Sequence, residues 1–100
     1  MQFFAPKSKN TILNILREAG YGLLHLNQQS GEYSFSRRLG VGEYPRFHVY
    51  AKERGGEYVV TVHIDQKKAS YQGHTAHSGD YDSELVDQEC NRLKLFLKPQ

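Results

Sequence analysis

The order of apolar and polar positions predicts a helix at each end of the chain and strands between them. Across residues 8–19, apolar side chains recur at spacings of three and four and form the single stripe of an amphipathic helix. Gly20 follows that stripe, at a position where glycine commonly ends a helix. A second stripe begins after Asp82 or Ser83, either of which can cap a helix, and ends before Pro99.

The segment "LLHLNQQSGEYSFS" alternates with a period of two, which predicts a first hairpin. If Leu26 lies opposite Tyr33 and Leu24 lies opposite Phe35, the apolar side chains gather on one face. His25 then lies on the other face, among the polar side chains. A register that separates the two kinds of side chain in both strands at once is the one we expect.

The segment "RFHVYAKERGGEYVVTVHID" predicts a second hairpin, with Gly55-Gly56 as its two-residue turn. This turn defines a register in which one face is apolar and the other is largely polar. The apolar pairs are Ala51 with Val60, Val49 with Val62, and Phe47 with Ile64. The pairs on the opposite face are Lys52 with Val59, Tyr50 with Thr61, His48 with His63, and Arg46 with Asp65.

These elements follow one another as α-β-β-β-β-α and predict a single α+β domain over residues 1–100. The short links between strands favour an antiparallel four-stranded sheet. The single apolar face of each strand predicts a two-layer structure with both helices on one face. We expect residues 1–7 to be a flexible or loosely docked lead-in. Residues 66–81 show no regular period, and a loop of that length is often functional, so the predicted functional surface combines this loop with the uncovered face of the sheet.

Composition narrows the class of protein without assigning a function. Apolar residues make up 38% of the chain and charged residues 24%, which suits a folded globular domain. Thirteen basic and eleven acidic residues leave a formal charge of +2, too little to indicate nucleic-acid binding from charge alone. The single cysteine, Cys90, excludes an internal disulfide framework, and no apolar run is long enough to span a membrane. We therefore expect a soluble cytoplasmic protein with no membrane association.

Two histidines are predicted to face each other across the second hairpin. Directly opposed residues on antiparallel strands have Cβ atoms about 4.5–5.5 Å apart, so His48 and His63 could share one metal ion or act as an acid/base pair. Asp65 lies two residues beyond His63 on the same face, and Arg46 is expected opposite it. The alternative is an ordinary solvated strand face that carries a weak surface ion pair.

The predicted loop after this strand adds His74 and His77. If the loop folds back over the sheet, His77 or His74 joins His48, His63 and Asp65 in one set of ligands, and His77 is the expected member. Two or three imidazoles and a carboxylate suit Zn²⁺ or another divalent first-row ion. No recognised zinc spacing is present in the sequence, so this site depends on how the loop folds.

Such a site could support proton transfer and hydrolysis of a phosphodiester, or simply the binding of a phosphate-bearing ligand. Imidazoles would move protons, a carboxylate would orient them, and cationic side chains would stabilise anionic oxygens. The expected catalytic residues are His48, His63 and Asp65, and the expected ligand-binding residues are Arg46, Tyr50, Lys67 and Tyr71.

Two other functions use the same open face. Arg38, Arg46 and Lys52, together with Tyr50 and Tyr71, could form a non-enzymatic surface for RNA or single-stranded DNA. Alternatively, the face could pack on a protein partner or on a second copy in a homodimer, with the histidines at the interface. The sequence leaves all three possibilities open.

The segments "YPRFHVYAK", "HIDQKKASYQG" and "AHSGDYDSELVDQE" resemble a set of short bacterial proteins of unknown function. The resemblance extends over most of residues 11–95, and its "HIDQK" and "AHSGDY" segments are the most specific. Those proteins have no assigned activity, so the resemblance implies no substrate, cofactor or catalytic residue.

Overall fold

The computed structural model describes residues 1–66 and 79–98, the side chains of residues 79–83 excepted, and shows an α+β fold. Five antiparallel strands form one sheet in the order β1-β5-β4-β3-β2. The elements along the chain are β1 (Gln2–Pro6), α1 (Ile12–Glu18), β2 (Gly22–Leu26), β3 (Tyr33–Arg38), β4 (Arg46–Arg54), β5 (Glu57–Asp65) and α2 (Gly79–Phe96).

The expected lead-in over residues 1–7 is wrong, because residues 2–6 form β1 and the sheet has five strands instead of four. β1 pairs with β5 from Gln2 opposite Thr61 to Pro6 opposite Glu57. Its side chains alternate, with Phe3 buried and Phe4 exposed. Two adjacent phenylalanines conceal this alternation in the sequence, since both are apolar while only one faces the core.

The predicted register of the second hairpin is confirmed at every pair. Gly55 and Gly56 form its turn with φ values of 61° and 87°, a region that glycine adopts without steric cost. β4 therefore lies between β5 and β3, and its polar-face side chains lie near the centre of the sheet.

The predicted register of the first hairpin is confirmed next to its loop and wrong further from the loop. Leu26 lies opposite Tyr33, as predicted, but Leu23 and not Leu24 lies opposite Phe35. A β-bulge at Leu24 inserts one residue and shifts the register between Leu23 and His25. Both leucines are about half exposed at this edge, so burial does not discriminate between the two registers.

Both helices differ in length from the pattern in the sequence. α1 begins at Ile12, because Thr11 caps it by accepting a hydrogen bond from the Asn14 backbone N–H at 3.1 Å. Gly20, just after its end, has a φ of 99°, as a helix-ending glycine should. α2 begins at Gly79, ahead of the Asp82 or Ser83 start that the sequence suggested.

One hydrophobic core joins the strands to both helices. The buried side chains of β4 are Phe47, Val49 and Ala51, and those of β5 are Val60 and Val62, all on the face that the pattern predicted to be apolar. No helix in the described part of the chain is long and apolar enough to cross a membrane. The core residues are Phe3, Ala5, Ile12, Ile15, Leu16, Ala19, Tyr21, Phe35, Phe47, Val49, Ala51, Val60, Val62, Val86, Cys90, Leu93 and Leu97.

Glu89 of α2 is buried within this core and joins α2 to Arg37 of β3 and to Tyr21, which lies between α1 and β2. Its carboxylate accepts hydrogen bonds from the Tyr21 hydroxyl at 2.6 Å, from Arg37 Nη2 at 3.2 Å, and from Arg92 Nε and Nη2 at 2.9 and 2.8 Å. Arg92 also donates to the carbonyl oxygen of Ala19 at 2.7 Å, beside the end of α1. A buried carboxylate with this many donors is compensated for its lost hydration.

The ionisation of this cluster reflects its partners. Burial acts to raise the pKa of Glu89, but the hydrogen bonds from Arg92 and Tyr21 and the charge of Arg37 outweigh burial. The pKa of Glu89 therefore lies below its ordinary value of 4.5. Burial, together with the hydrogen bond to Glu89, raises the pKa of Tyr21, so this hydroxyl remains a donor.

Candidate functional site

The candidate site lies on the polar face of the β4–β5 hairpin, near the end of the strands away from the turn. His48 lies opposite His63, and Arg46 lies opposite Asp65. Because the intervening residues of both strands point into the core, these four side chains share one face. All four are partly buried, so their charges and hydrogen bonds are only partly screened by water.

Asp65 is the acceptor at the centre of the site. Its Oδ2 accepts hydrogen bonds from His48 Nδ1 at 2.9 Å and from Arg46 Nε at 3.2 Å. Its Oδ1 lies 3.3 Å from His63 Nε2. Since a carboxylate only accepts, His48 donates to Asp65 from a protonated Nδ1. The described residues offer the buried Nε2 of His48 no hydrogen-bond partner.

Three rings pack together around this carboxylate. The His48 and Tyr50 rings stack with centroids 4.4 Å apart, and the His63 ring tilts against them at 5.0 Å from His48 and 5.4 Å from Tyr50. Burial raises the pKa of Tyr50, and the charge of Asp65 adds to this effect. Tyr50, predicted as a ligand-binding residue, therefore supports the two imidazoles and keeps its hydroxyl protonated.

Burial lowers the pKa of His63 below its ordinary value of 6.5. The charge of Asp65 acts in the opposite direction, and the neighbouring His48 reinforces the lowering. The neutral imidazole, which is the form that binds a metal ion, is therefore favoured at neutral pH.

The geometry brings three possible metal ligands together. His48, His63 and Asp65 each offer a ligand atom, and these atoms lie within 4.8 Å of one another. The His48 side chain is only 13% exposed, whereas that of His63 is 42% exposed and marks the side of the site that faces solvent. Two imidazoles and one carboxylate on adjacent strands could hold a divalent ion with one or more positions left for water.

Arg46 and Arg38 place positive charge beside these ligands. The Arg46 guanidinium carbon lies 4.8 Å from the centre of the Tyr44 ring, while its Nε contacts Asp65, so the group is held from two sides. Arg38 of β3 lies directly opposite Arg46 and is exposed. The sequence did not predict the contact between Arg46 and Tyr44, because nothing in the segment Tyr44-Pro45-Arg46 indicates that the ring lies against the guanidinium group.

Four loop residues of the sequence hypothesis lie outside the described residues. These are Lys67 and Tyr71, expected to bind a ligand, and His74 and His77, of which His77 was expected to complete the metal site. The structure thus brings together three of the four predicted metal ligands, with Arg46 and Tyr50 beside them.

Comparison of the chain with protein-family models gave no match. Comparisons with curated proteins and with solved structures also gave none.

Proposed function

We propose that this domain binds a divalent metal ion of the zinc type through His48, His63 and Asp65. The observation that carries the proposal is the convergence of two imidazoles and one carboxylate within 4.8 Å on one sheet face. Imidazole nitrogen and carboxylate oxygen are common Zn²⁺ ligands, and three protein ligands leave a position for water or a substrate oxygen.

We also infer that both helices cover the apolar face of the sheet. Buried residues of α1 and α2 belong to the same core as the buried residues of the strands. The face that carries the three ligands is then accessible to an ion from solvent. This layering is what makes a surface metal site possible in so small a domain.

Binding of the ion would replace the hydrogen bonds that Asp65 now shares with the two imidazoles, and His48 would release its Nδ1 proton, because a ligating nitrogen must be unprotonated. The separations of 2.9 Å to His48 Nδ1 and 3.3 Å to His63 Nε2 are close to the roughly 3.4 Å between neighbouring ligands around a tetrahedral ion with bonds near 2.1 Å. The ligand atoms of the three residues are separated by up to 4.8 Å, and the longest of these separations must shorten when the ion binds. The partly exposed ring of His63 can achieve this by rotating about its side-chain torsions.

A metal ion here would also supply hydrolytic chemistry, because a divalent ion lowers the pKa of its bound water. The nucleic-acid alternative has weaker support, since Tyr50 already stacks on His48 and offers bases less of its ring. Hydrolysis, nucleic-acid binding and homodimer formation stay as predictions.

Zinc titration of the protein without a histidine tag tests the proposal. We expect saturable binding of one ion and a rise in the melting temperature that EDTA reverses. Free zinc at a hundredfold excess over Kd would add about 2.7 kcal/mol to the free energy of unfolding. His63→Ala should abolish this gain, whereas His25→Ala, which removes an exposed histidine of β2, should retain it.

The zinc titration of these variants also shows whether the ion binds at this site or at other histidines of the chain. Absence of saturable binding in the unaltered protein would refute the proposal. Binding of equal affinity in His63→Ala and in Asp65→Asn would assign the ion to other residues and would refute it as well.

A further inference from the structure

We infer that the metal centre takes a phosphate group as its ligand, held jointly by the ion and by the guanidinium groups of Arg46 and Arg38. This inference rests on the proposed metal site and extends it to the class of molecule bound. It starts from one row of charged side chains that crosses three adjacent strands, with Arg38 opposite Arg46 and Arg46 opposite Asp65.

The two arginines form an unfavourable pair in the absence of an anion. Like charges directly opposite each other on antiparallel strands destabilise the sheet. Asp65 compensates Arg46 through the contact at 3.2 Å, but no carboxylate of the described residues forms an ion pair with Arg38. An anion between the two guanidinium groups would offset their repulsion.

A metal ion on Asp65 strengthens this requirement. The single negative charge of Asp65 would then be shared between the ion and Arg46. Arg38, opposite Arg46 on β3, adds a further positive charge. Arg38 and Arg46 extend from directly opposed backbone positions on strands about 4.8 Å apart, a spacing shorter than the Debye length of about 8 Å at physiological salt. The excess of positive charge exceeds what one carboxylate ligand would neutralise, and it suits the dianion of a phosphate monoester.

Arg46 is already arranged to bind such a group. The contacts of its guanidinium with Asp65 and with the Tyr44 ring restrict its rotamers before any ligand arrives. A planar guanidinium donates two parallel hydrogen bonds to two phosphate oxygens, and the metal ion can take a third oxygen. One tetrahedral group could therefore contact all three cations.

The phosphate could belong to a monoester or to the backbone of a nucleic acid. Calorimetric titrations of the zinc-loaded protein with phenyl phosphate, and separately with a short oligothymidylate, distinguish these sources. Zinc affinity is measured first on the same samples, so failure of the metal site is recognised before any phosphate is added.

Arg38→Gln is the informative variant, because Arg38 makes no contact with the three proposed metal ligands that the change would break. We expect it to keep zinc affinity and to weaken binding of the phosphate probe about tenfold. Arg54→Gln is the matched control. Like Arg38→Gln, it removes one positive charge from this face of the sheet. Arg54 lies on β4, about 26 Å along the strand from Arg46, so its replacement should leave phosphate affinity unchanged.

Three results would overturn the inference while leaving the metal site intact. The first is zinc binding with no affinity for either probe. The second is equal phosphate affinity in Arg38→Gln and the unaltered protein. The third is equal affinity for the probe with and without zinc. Absence of zinc binding would instead refute the proposed function itself, and this inference with it.

Discussion

At the scale of single residues, Asp65 determines how the candidate site is organised. It contacts Arg46, His48 and His63, so its charge compensates one cation and orients two imidazoles. We predict that Asp65→Asn lowers the free energy of unfolding of the metal-free protein by about 1–3 kcal/mol, because partly buried hydrogen bonds to a charged group are lost. Urea denaturation at neutral pH measures this change.

Asp87→Asn provides the control, since Asp87 is an exposed aspartate of α2. Its replacement should alter the free energy of unfolding by less than about 0.5 kcal/mol. Equal stability of the Asp65 variant and the control would mean that the Asp65 contacts are too exposed to contribute, as in a typical surface ion pair.

At the scale of elements, Phe3 is the larger of the two buried side chains that hold the edge strand β1 against the core. Phe3 is 9% exposed, whereas the neighbouring Phe4 is 58% exposed. The ammonium nitrogen of Lys94 in α2 lies 5.2 Å from the centre of the Phe3 ring. We predict that Phe3→Ala costs about 3 kcal/mol and that Phe4→Ala costs less than about 0.5 kcal/mol. Chemical denaturation of the two variants compares the same substitution at adjacent positions.

Similar losses in the two variants would contradict the assignment of β1 to the sheet in this register. A shift by one residue exchanges the buried and exposed faces, so Phe4 would then be the costly position. The pair of variants therefore tests the strand that sequence reasoning overlooked.

Sequence predicts an element well where two independent signals agree. In the second hairpin the Gly55-Gly56 turn and the alternation of both strands specify one register, which also predicted His48 opposite His63. The bulge at Leu24 has no such signal, because shifting between two leucines leaves the pattern unchanged. The local pattern thus identified the site residues that lie on the β4–β5 hairpin. Contacts between residues distant in sequence, such as those of Glu89, became visible only in the folded structure.

Glu89 itself was hidden because a glutamate within a polar helix looks like a solvated residue. Its position three residues after Val86 and four before Leu93 puts it beside the apolar stripe of α2, and this is the signal that could have identified it. Its partners Tyr21 and Arg37 are 68 and 52 residues away in the chain, beyond the reach of any local pattern.

At the scale of the whole molecule, Glu89 should govern how the fold responds to acid. Its carboxylate joins α2 to Arg37 of β3 and to Tyr21, in the link between α1 and β2. A carboxyl whose pKa is lower in the folded state than in the unfolded state stabilises the fold above the unfolded value, here 4.5, and this contribution is lost as pH falls through the folded value. We therefore predict a fall in the free energy of unfolding below about pH 4.5 that depends on Glu89.

Comparison of Glu89→Gln with the unaltered protein isolates this contribution from the other carboxyls that titrate in the same range. The glutamine variant should be less stable at pH 7, because the amide leaves donors of Arg37 and Arg92 without a charged acceptor. The difference should shrink as pH falls below 4.5, since the unaltered side chain then loses its charge too. Glu84→Gln, which changes an exposed glutamate of the same helix, should follow the unaltered protein throughout. A difference that stays constant from pH 7 to acid would show that Glu89 acts through packing and not through its charge.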